Sequence, residues 1–180
     1  MKRIVGIVLF AFLLAGPAGA AIVLKAKAAS FSPSEQAFKD IYGGGPTYGI
    51  ELEFDIFKGI GFRLGGEYFA RRGKLTYTEE ETSLRLIPIF AGVYYALGSK
   101  AVGFSAGAGV HYVLYHESNV LGTVDKGGLG FAFNGEGYWS FVPSVRLFLF
   151  GAYASCIMTP ADFKINVGGL SIGGGLGFAF

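Results

Sequence analysis

Tyr48-Gly-Ile-Glu-Leu-Glu-Phe-Asp-Ile56 alternates with a period of two. Tyr48, Ile50, Leu52, Phe54 and Ile56 fall on one face; Gly49, Glu51, Glu53 and Asp55 fall on the other. Successive side chains of a strand point to opposite faces, so one face seeks hydrocarbon while the other carries three carboxylates. A sheet with one wet face can show this once. Here the pattern returns along nearly the whole chain, with glycine and charge on the face opposite the apolar residues, and that repetition decides the fold.

Ile60, Phe62, Leu64 and Tyr68 oppose Arg63, Glu67 and, further on, Arg71. Between 102 and 114, Gly103, Ser105, Gly107, Gly109 and His111 form the small or polar face. Leu129, Phe131 and Phe133 oppose Gly130, Ala132, Asn134 and Glu136, and Ile172, Leu176, Phe178 and Phe180 oppose Gly173, Gly175, Gly177 and Ala179. Residues 84–90 and 144–150 are apolar on both faces for part of their length. Pro88 removes one ladder donor and predicts a local distortion.

The pattern predicts eight strands, at about 21–32, 46–57, 60–72, 82–97, 101–117, 127–140, 143–156 and 164–180. Connections at 58–59, 98–100 and 141–142 are short; those at 33–45, 73–81, 118–126 and 157–163 are longer. Short turns alternating with long loops are the signature of an up-and-down transmembrane barrel. In hydrocarbon every backbone group needs a partner, and only closure removes the unpaired edges of a sheet. The expected fold is all-β: an eight-stranded antiparallel up-and-down transmembrane β-barrel whose last strand pairs with its first.

Composition agrees. Of 180 residues, 52% are hydrophobic and 16% charged, against about 25% charged in an ordinary globular domain. The sustained apolar run, Ile4 to Ala15, is shorter than the roughly 18 residues a membrane helix needs. Preceded by Lys2-Arg3 and followed by Ala18-Gly19-Ala20, it reads as a cleavable signal peptide over 1–20, leaving 21–180 as the barrel domain. Removing Lys2 and Arg3 takes the 15 basic residues to 13, against 13 acidic. A neutral chain lacks the basic footprint of a nucleic-acid binder, so no nucleic-acid partner is expected. A single cysteine, Cys156, rules out an internal disulfide and reads as a small apolar wall residue.

An eight-stranded barrel is just wide enough for side chains to fill. The predicted inward set is Glu51, Glu53, Asp55, Glu67 and Glu136 against Lys25, Lys27, Arg63, Arg71, Arg85 and Arg146, an interior charge network that plugs the lumen. An ion path lined by both signs is the alternative.

The carboxyl-terminal Gly175-Leu-Gly-Phe-Ala-Phe180 resembles the assembly signal of bacterial outer-membrane barrels, with Gly174 standing where that pattern prefers a hydrophobic residue. Ser32-Pro-Ser-Glu-Gln-Ala-Phe-Lys-Asp-Ile-Tyr-Gly43 resembles the first-loop segment of the outer-membrane protein beta-barrel domain family, and Gly168-Gly-Leu-Ser-Ile172 extends the likeness. The resemblance implies a small outer-membrane barrel with a structural or surface-interaction role. It assigns the assembly signal to Gly175, Phe178 and Phe180 and carries no catalytic residue, cofactor or metal. The partners it implies are outer-membrane lipid including lipopolysaccharide, and the barrel-assembly machinery; the chain is expected to be a monomer.

His116-Glu-Ser-Asn119 resembles the His-x-Ser-Asn segment of outer-membrane lipid A deacylases. His116 and Ser118 share the parity of the lipid face, compatible with a histidine base and a serine nucleophile. No orienting acid is evident, because Glu117 and Glu136 face inward and Asp125 is expected in a loop. A polar strand end is the simpler expectation. A narrow solute channel is the remaining alternative.

Overall fold

The computed structural model describes residues 22–74, 80–99, 101–159 and 164–180. The signal peptide expected over 1–20 lies outside the described residues. Eight long strands form the barrel: β1 (Ile22–Pro33), β2 (Gly45–Phe57), β3 (Ile60–Lys74), β4 (Glu81–Gly98), β5 (Val102–Asn119), β6 (Gly122–Val142), β7 (Val145–Ser155) and β10 (Gly169–Ala179). Each pairs antiparallel with its sequence neighbour, and β1 pairs with β10 to close the sheet. The closure runs to the last residue, where the Phe180 amide donates to the Ile22 carbonyl at 2.9 Å. Phe178 and Phe180 point outward at this end.

Connections follow the predicted alternation, with three corrections. Lys58 and Gly59 both adopt positive φ, 46° and 84°, the geometry of a two-residue turn matched to strand twist. Residues 118–126, expected as a long loop, instead extend the β5–β6 ladder to a turn at Val120–Leu121. The alternation never stops there: Ser118, Thr123 and Asp125 keep outward parity, and Gly122 at φ 140° supplies the turn. The loop over 33–45 contains a helix, α1 (Gln36–Tyr42), ended by Gly43 at φ 64°. The connection over 157–163, and the first residues of the expected last strand, carry a small ladder of β8 (Ile157–Met158) with β9 (Ile165–Asn166).

The outer wall is apolar. Leu24, Ile50, Phe62, Val93, Phe104, Val110, Leu129, Phe133 and Leu149 all face outward and are exposed. Aromatic residues mark both ends of this belt. Tyr95, Trp139, Phe141 and Phe178 lie toward the short-turn end, and Tyr48, Tyr68, Tyr112 and Tyr153 toward the long-connection end. An apolar exterior with aromatic girdles around a closed sheet is the surface of a barrel that spans a bilayer. Pro88 faces inward within β4, and the β3–β4 pairing is interrupted beside it, between the Gly66–Ile89 and Phe69–Leu86 pairs, with the register unchanged on either side. That is the distortion its missing N–H demands.

The inside has two storeys. Toward the short turns it is charged; toward the long connections Phe31, Phe69, Leu84, Leu86, Val113, Tyr115, Met158, Ile165 and Val167 make an apolar core within the barrel mouth. This accounts for the doubly apolar segments: Leu84 and Leu86 fill the mouth while Ile87 and Ile89 face outward. A seven-residue helix is not stable alone. Phe38 and Tyr42, four residues apart and so on one face, anchor α1 in that core, with Phe38 fully buried. Inward glycines give the large side chains room: a Cβ on Gly61 would lie 2.3 Å from the Tyr94 ring, and one on Gly103 2.3 Å from the Tyr138 hydroxyl.

Candidate functional site

The charged storey is one network that crosses the lumen. Lys25 on β1 reaches Glu136 on β6 at 2.5 and 2.7 Å and Glu53 on β2 at 2.7 Å. Arg63 on β3 donates through Nε to Glu53 at 2.6 Å and through a terminal nitrogen to Ser105 on β5 at 2.6 Å. Its guanidinium lies 4.6 Å from the Tyr94 ring centroid, and Tyr94 donates to Asp55 at 2.5 Å. Lys27 joins Glu51 at 3.0 Å to Glu67 at 2.8 Å. Arg146 stacks on Tyr138 and approaches Glu53 at 3.8 Å. Glu51, Glu53 and Glu136 bring carboxylate oxygens within 4.8 Å of one another. The cations among them are the Lys25 ammonium and the Arg63 guanidinium, both buried, so this constellation is an internal ion cluster built by the chain.

Two residues expected in this network lie elsewhere. Arg85 has odd parity in β4, where Thr82, Leu84, Leu86 and Tyr94 face in, so it points outward. Arg71 has inward parity but sits at the exposed end of β3, where it donates to the Gly44 carbonyl. The network therefore sets Glu51, Glu53, Asp55, Glu67 and Glu136 against Lys25, Lys27, Arg63 and Arg146. Sequence parity missed Arg85 because the alternation breaks around Pro88, leaving both faces of β4 apolar.

Above the charged storey is a cavity of about 90 Å³, lined by Lys27, Glu51, Glu67, His111 and Asn134 below and by Phe31, Phe69, Leu86 and Val113 above. His111 makes a ring-nitrogen contact of 3.3 Å to the Ser155 carbonyl. At the mouth, Tyr42 of α1 donates to Glu117 at 2.7 Å and pairs with Thr82 at 3.1 Å, and Tyr115 donates to the same carboxylate. Burial lifts the Tyr42 phenol above its ordinary range, and the bond to Glu117 adds to the shift. Helix, tyrosine pair and apolar core together close the end opposite the charged storey.

On the outer wall, His116 and Ser118 face outward on β5, as parity predicted. Asp125 does not lie in a loop. The extended ladder sets it directly opposite His116, and its carboxylate contacts His116 Nδ1 at 2.6 Å. An acid orienting His116 is therefore present, contrary to the sequence expectation, because the β5–β6 hairpin is longer than expected. Ser118 is not bonded to His116; its hydroxyl accepts from Thr123 at 3.4 Å.

No family model and no curated protein sequence matches this chain. Its architecture is that of small outer-membrane β-barrels. Neisserial surface protein A superposes with a TM-score of 0.65 at 19% identity, over 90% of this chain and 99% of that one. The outer membrane protein OprG from Pseudomonas aeruginosa gives 0.70 at 12% identity, over 89% and 96%. Outer Membrane Protein W of E. coli gives 0.56 at 15% identity, over 89% and 98%. At these identities the likeness is one of fold: an eight-stranded barrel spanning almost the full length of each.

Proposed function

We infer that the chain is an integral outer-membrane barrel with a structural or surface-interaction role and a lumen that does not conduct. The observation that carries this reading is the Lys25–Glu53–Arg63–Glu136 cluster, which ties β1, β2, β3 and β6 together across the interior. Each ion has a partner at 2.7 Å or less. Moving an ion through this layer would mean separating charges held in low dielectric, at several kcal/mol each. α1 and the apolar mouth close the other end. Surface contacts then fall to the long-connection end, where α1 and the β5–β6 hairpin tip, with Val120 and Leu121 exposed, are presented.

Planar-bilayer recording on the refolded barrel tests this, with a boiled-against-unboiled denaturing gel as the folding control. A heat-modifiable band without discrete conductance steps is expected. Steady unitary currents from folded protein would refute the plug and favour a narrow solute channel.

One observation favours a second reading, a lipid-ester hydrolase. Asp125 holds Nδ1 of His116, leaving Nε2 without a partner among the described residues, with Ser118 two residues further along the same strand. That is a base and its orienter without the contact to a nucleophile that the chemistry requires. Lipid A missing an acyl chain in cells expressing the wild type, but not Ser118→Ala, would establish the hydrolase.

A further inference from the structure

The outer wall is charged on one side only. Among the described residues, the titratable acidic and basic side chains at outward positions of the barrel strands are Arg72, Lys74, Glu81, Arg85, His116 and Asp125. All sit at the long-connection ends of β3–β6. Around the rest of the circumference β1, β2, β7 and β10 present Ser30, Ser32, Pro46, Tyr153 and Leu170 toward that end.

The ladder registers sort these residues into rungs. Ala70, Arg85, His116 and Asp125 lie side by side in one; Arg72, Ser83, Ser118 and Thr123 lie in the next outward. One rung further, Lys74 faces Glu81 and their charges offset. Asp125 is engaged by His116. Arg72 and Arg85 remain, neither in an ion pair with a described residue. They are diagonal neighbours on adjacent strands, about 7–8 Å apart at the backbone. Two shallow depressions of the wall meet at Arg85 and His116, one bordered by Tyr68 and Arg72, the other by Ile87 and Leu114.

Height fixes what this pair can meet. From Phe104 to Leu114 the outward face of β5 is uninterrupted by charge. Ten residues at about 3.3 Å each, tilted by about 40°, rise roughly 25 Å, the height of a barrel's apolar band. The Arg85–His116 rung is the next one out, level with lipid headgroups. Arginines that merely snorkel have no reason to collect on one side of the barrel. Two guanidiniums with the Ser83 hydroxyl between them and that of Ser118 alongside match an oxyanion with several acceptor oxygens.

We propose that the outer wall of β3–β6 binds the phosphate headgroup of a lipid in the outward leaflet. Arg72 and Arg85 grip the phosphate oxygens, the Ser83 and Ser118 hydroxyls flank them, and Ile87, Ile89 and Leu114 support the acyl chains below. This rests on the membrane-spanning reading above. Native mass spectrometry of the folded, detergent-solubilised protein tests it, with phosphatidic acid as probe, phosphatidylcholine as counter-probe and inorganic phosphate as competitor. The wild type retains phosphatidic acid in preference to phosphatidylcholine. Arg72→Gln/Arg85→Gln weakens that retention by at least about tenfold, since losing even one charge-assisted bond costs that much. Inorganic phosphate does not displace the lipid. Equal retention by wild type and double variant overturns the proposal, as does displacement by inorganic phosphate, which would mark a free-anion site. A heat-modifiability gel separates the two levels. A wild type without a band shift sinks the barrel reading itself, whereas a normal shift without lipid discrimination sinks only the headgroup site.

Discussion

Replacing Arg63 with methionine tests the buried network most directly. Arg63 is 1% exposed and holds Glu53 at 2.6 Å and Ser105 at 2.6 Å. Methionine keeps much of the apolar stem but removes the charge and both donors. Breaking a buried pair from one side costs about 3–5 kcal/mol, because the remaining ion stays in low dielectric. Glu53 keeps Lys25 at 2.7 Å, so the low end, about 3 kcal/mol, is expected. At roughly 2–4 °C per kcal/mol for a chain of this size, the unfolding temperature in detergent should fall by about 6–12 °C. It is read as the temperature at which the fast unboiled band converts to the slow one. Adding Glu53→Gln to Arg63→Met removes the carboxylate left one partner short, while Lys25 keeps Glu136 at 2.5 Å, and should restore part of the loss. Arg85→Met is the control, because Arg85 points outward; its shift should stay within about 0.5 kcal/mol equivalent. An unchanged unfolding temperature for Arg63→Met, together with new ion conductance, would mean that the lumen is hydrated and that the cluster is no plug.

Glu136→Gln should destabilise by about 2 kcal/mol in the same assay, because Lys25 loses its nearest carboxylate while keeping Glu53. Gly61→Val should abolish the heat-modifiable band, since its Cβ would strike the Tyr94 ring and the Phe54 carbonyl; retained folding would mean that Tyr94 can leave its place beside Arg63. Deleting Phe180 removes the last rung to Ile22 and an outward aromatic, so the folded fraction recovered from membranes should drop severalfold, and an unchanged yield would argue against the carboxyl-terminal signal. Alkaline pH should release α1: the folded Tyr42 phenol is held above its ordinary value of 10.0 by burial, so its stabilisation is complete below that pH and is lost as pH rises toward the folded value. Proteolysis of the 33–45 connection should therefore accelerate above about pH 10 in the wild type, and Tyr42→Phe should remove that component of the pH dependence.

The period-two pattern by itself determined the strand number, the closure of β1 on β10, and which residues of β1, β2, β3, β5, β6 and β10 face inward. A one-residue slip would turn every side chain to the wrong solvent, so parity is as strongly encoded as any property of the chain. It assigned Lys25, Glu51, Glu53 and Arg63 to the lumen because each stands between two apolar residues, and Glu136 because it keeps the parity opposite Leu129, Phe131 and Phe133. It could not assign Arg85: β4 is apolar on both faces near Pro88, and its parity is fixed only by pairing with β3 and β5. Nor could the pattern give the length of the β5–β6 hairpin, since polar residues alternating beyond the apolar belt look the same in a ladder and in a loop. Asp125 meets His116 only because the two strands stay in register for seven residues beyond the Tyr112–Leu129 pair. The apolar upper storey also belongs to tertiary structure. Leu84 and Leu86 of β4, Val113 of β5 and Phe69 of β3 become a core only when the sheet curls around Phe38 of α1. Period and parity are local properties of a strand; which side chains meet across a lumen, or lie abreast on an outer wall, depends on closure and register, which hydrogen bonds between distant segments decide.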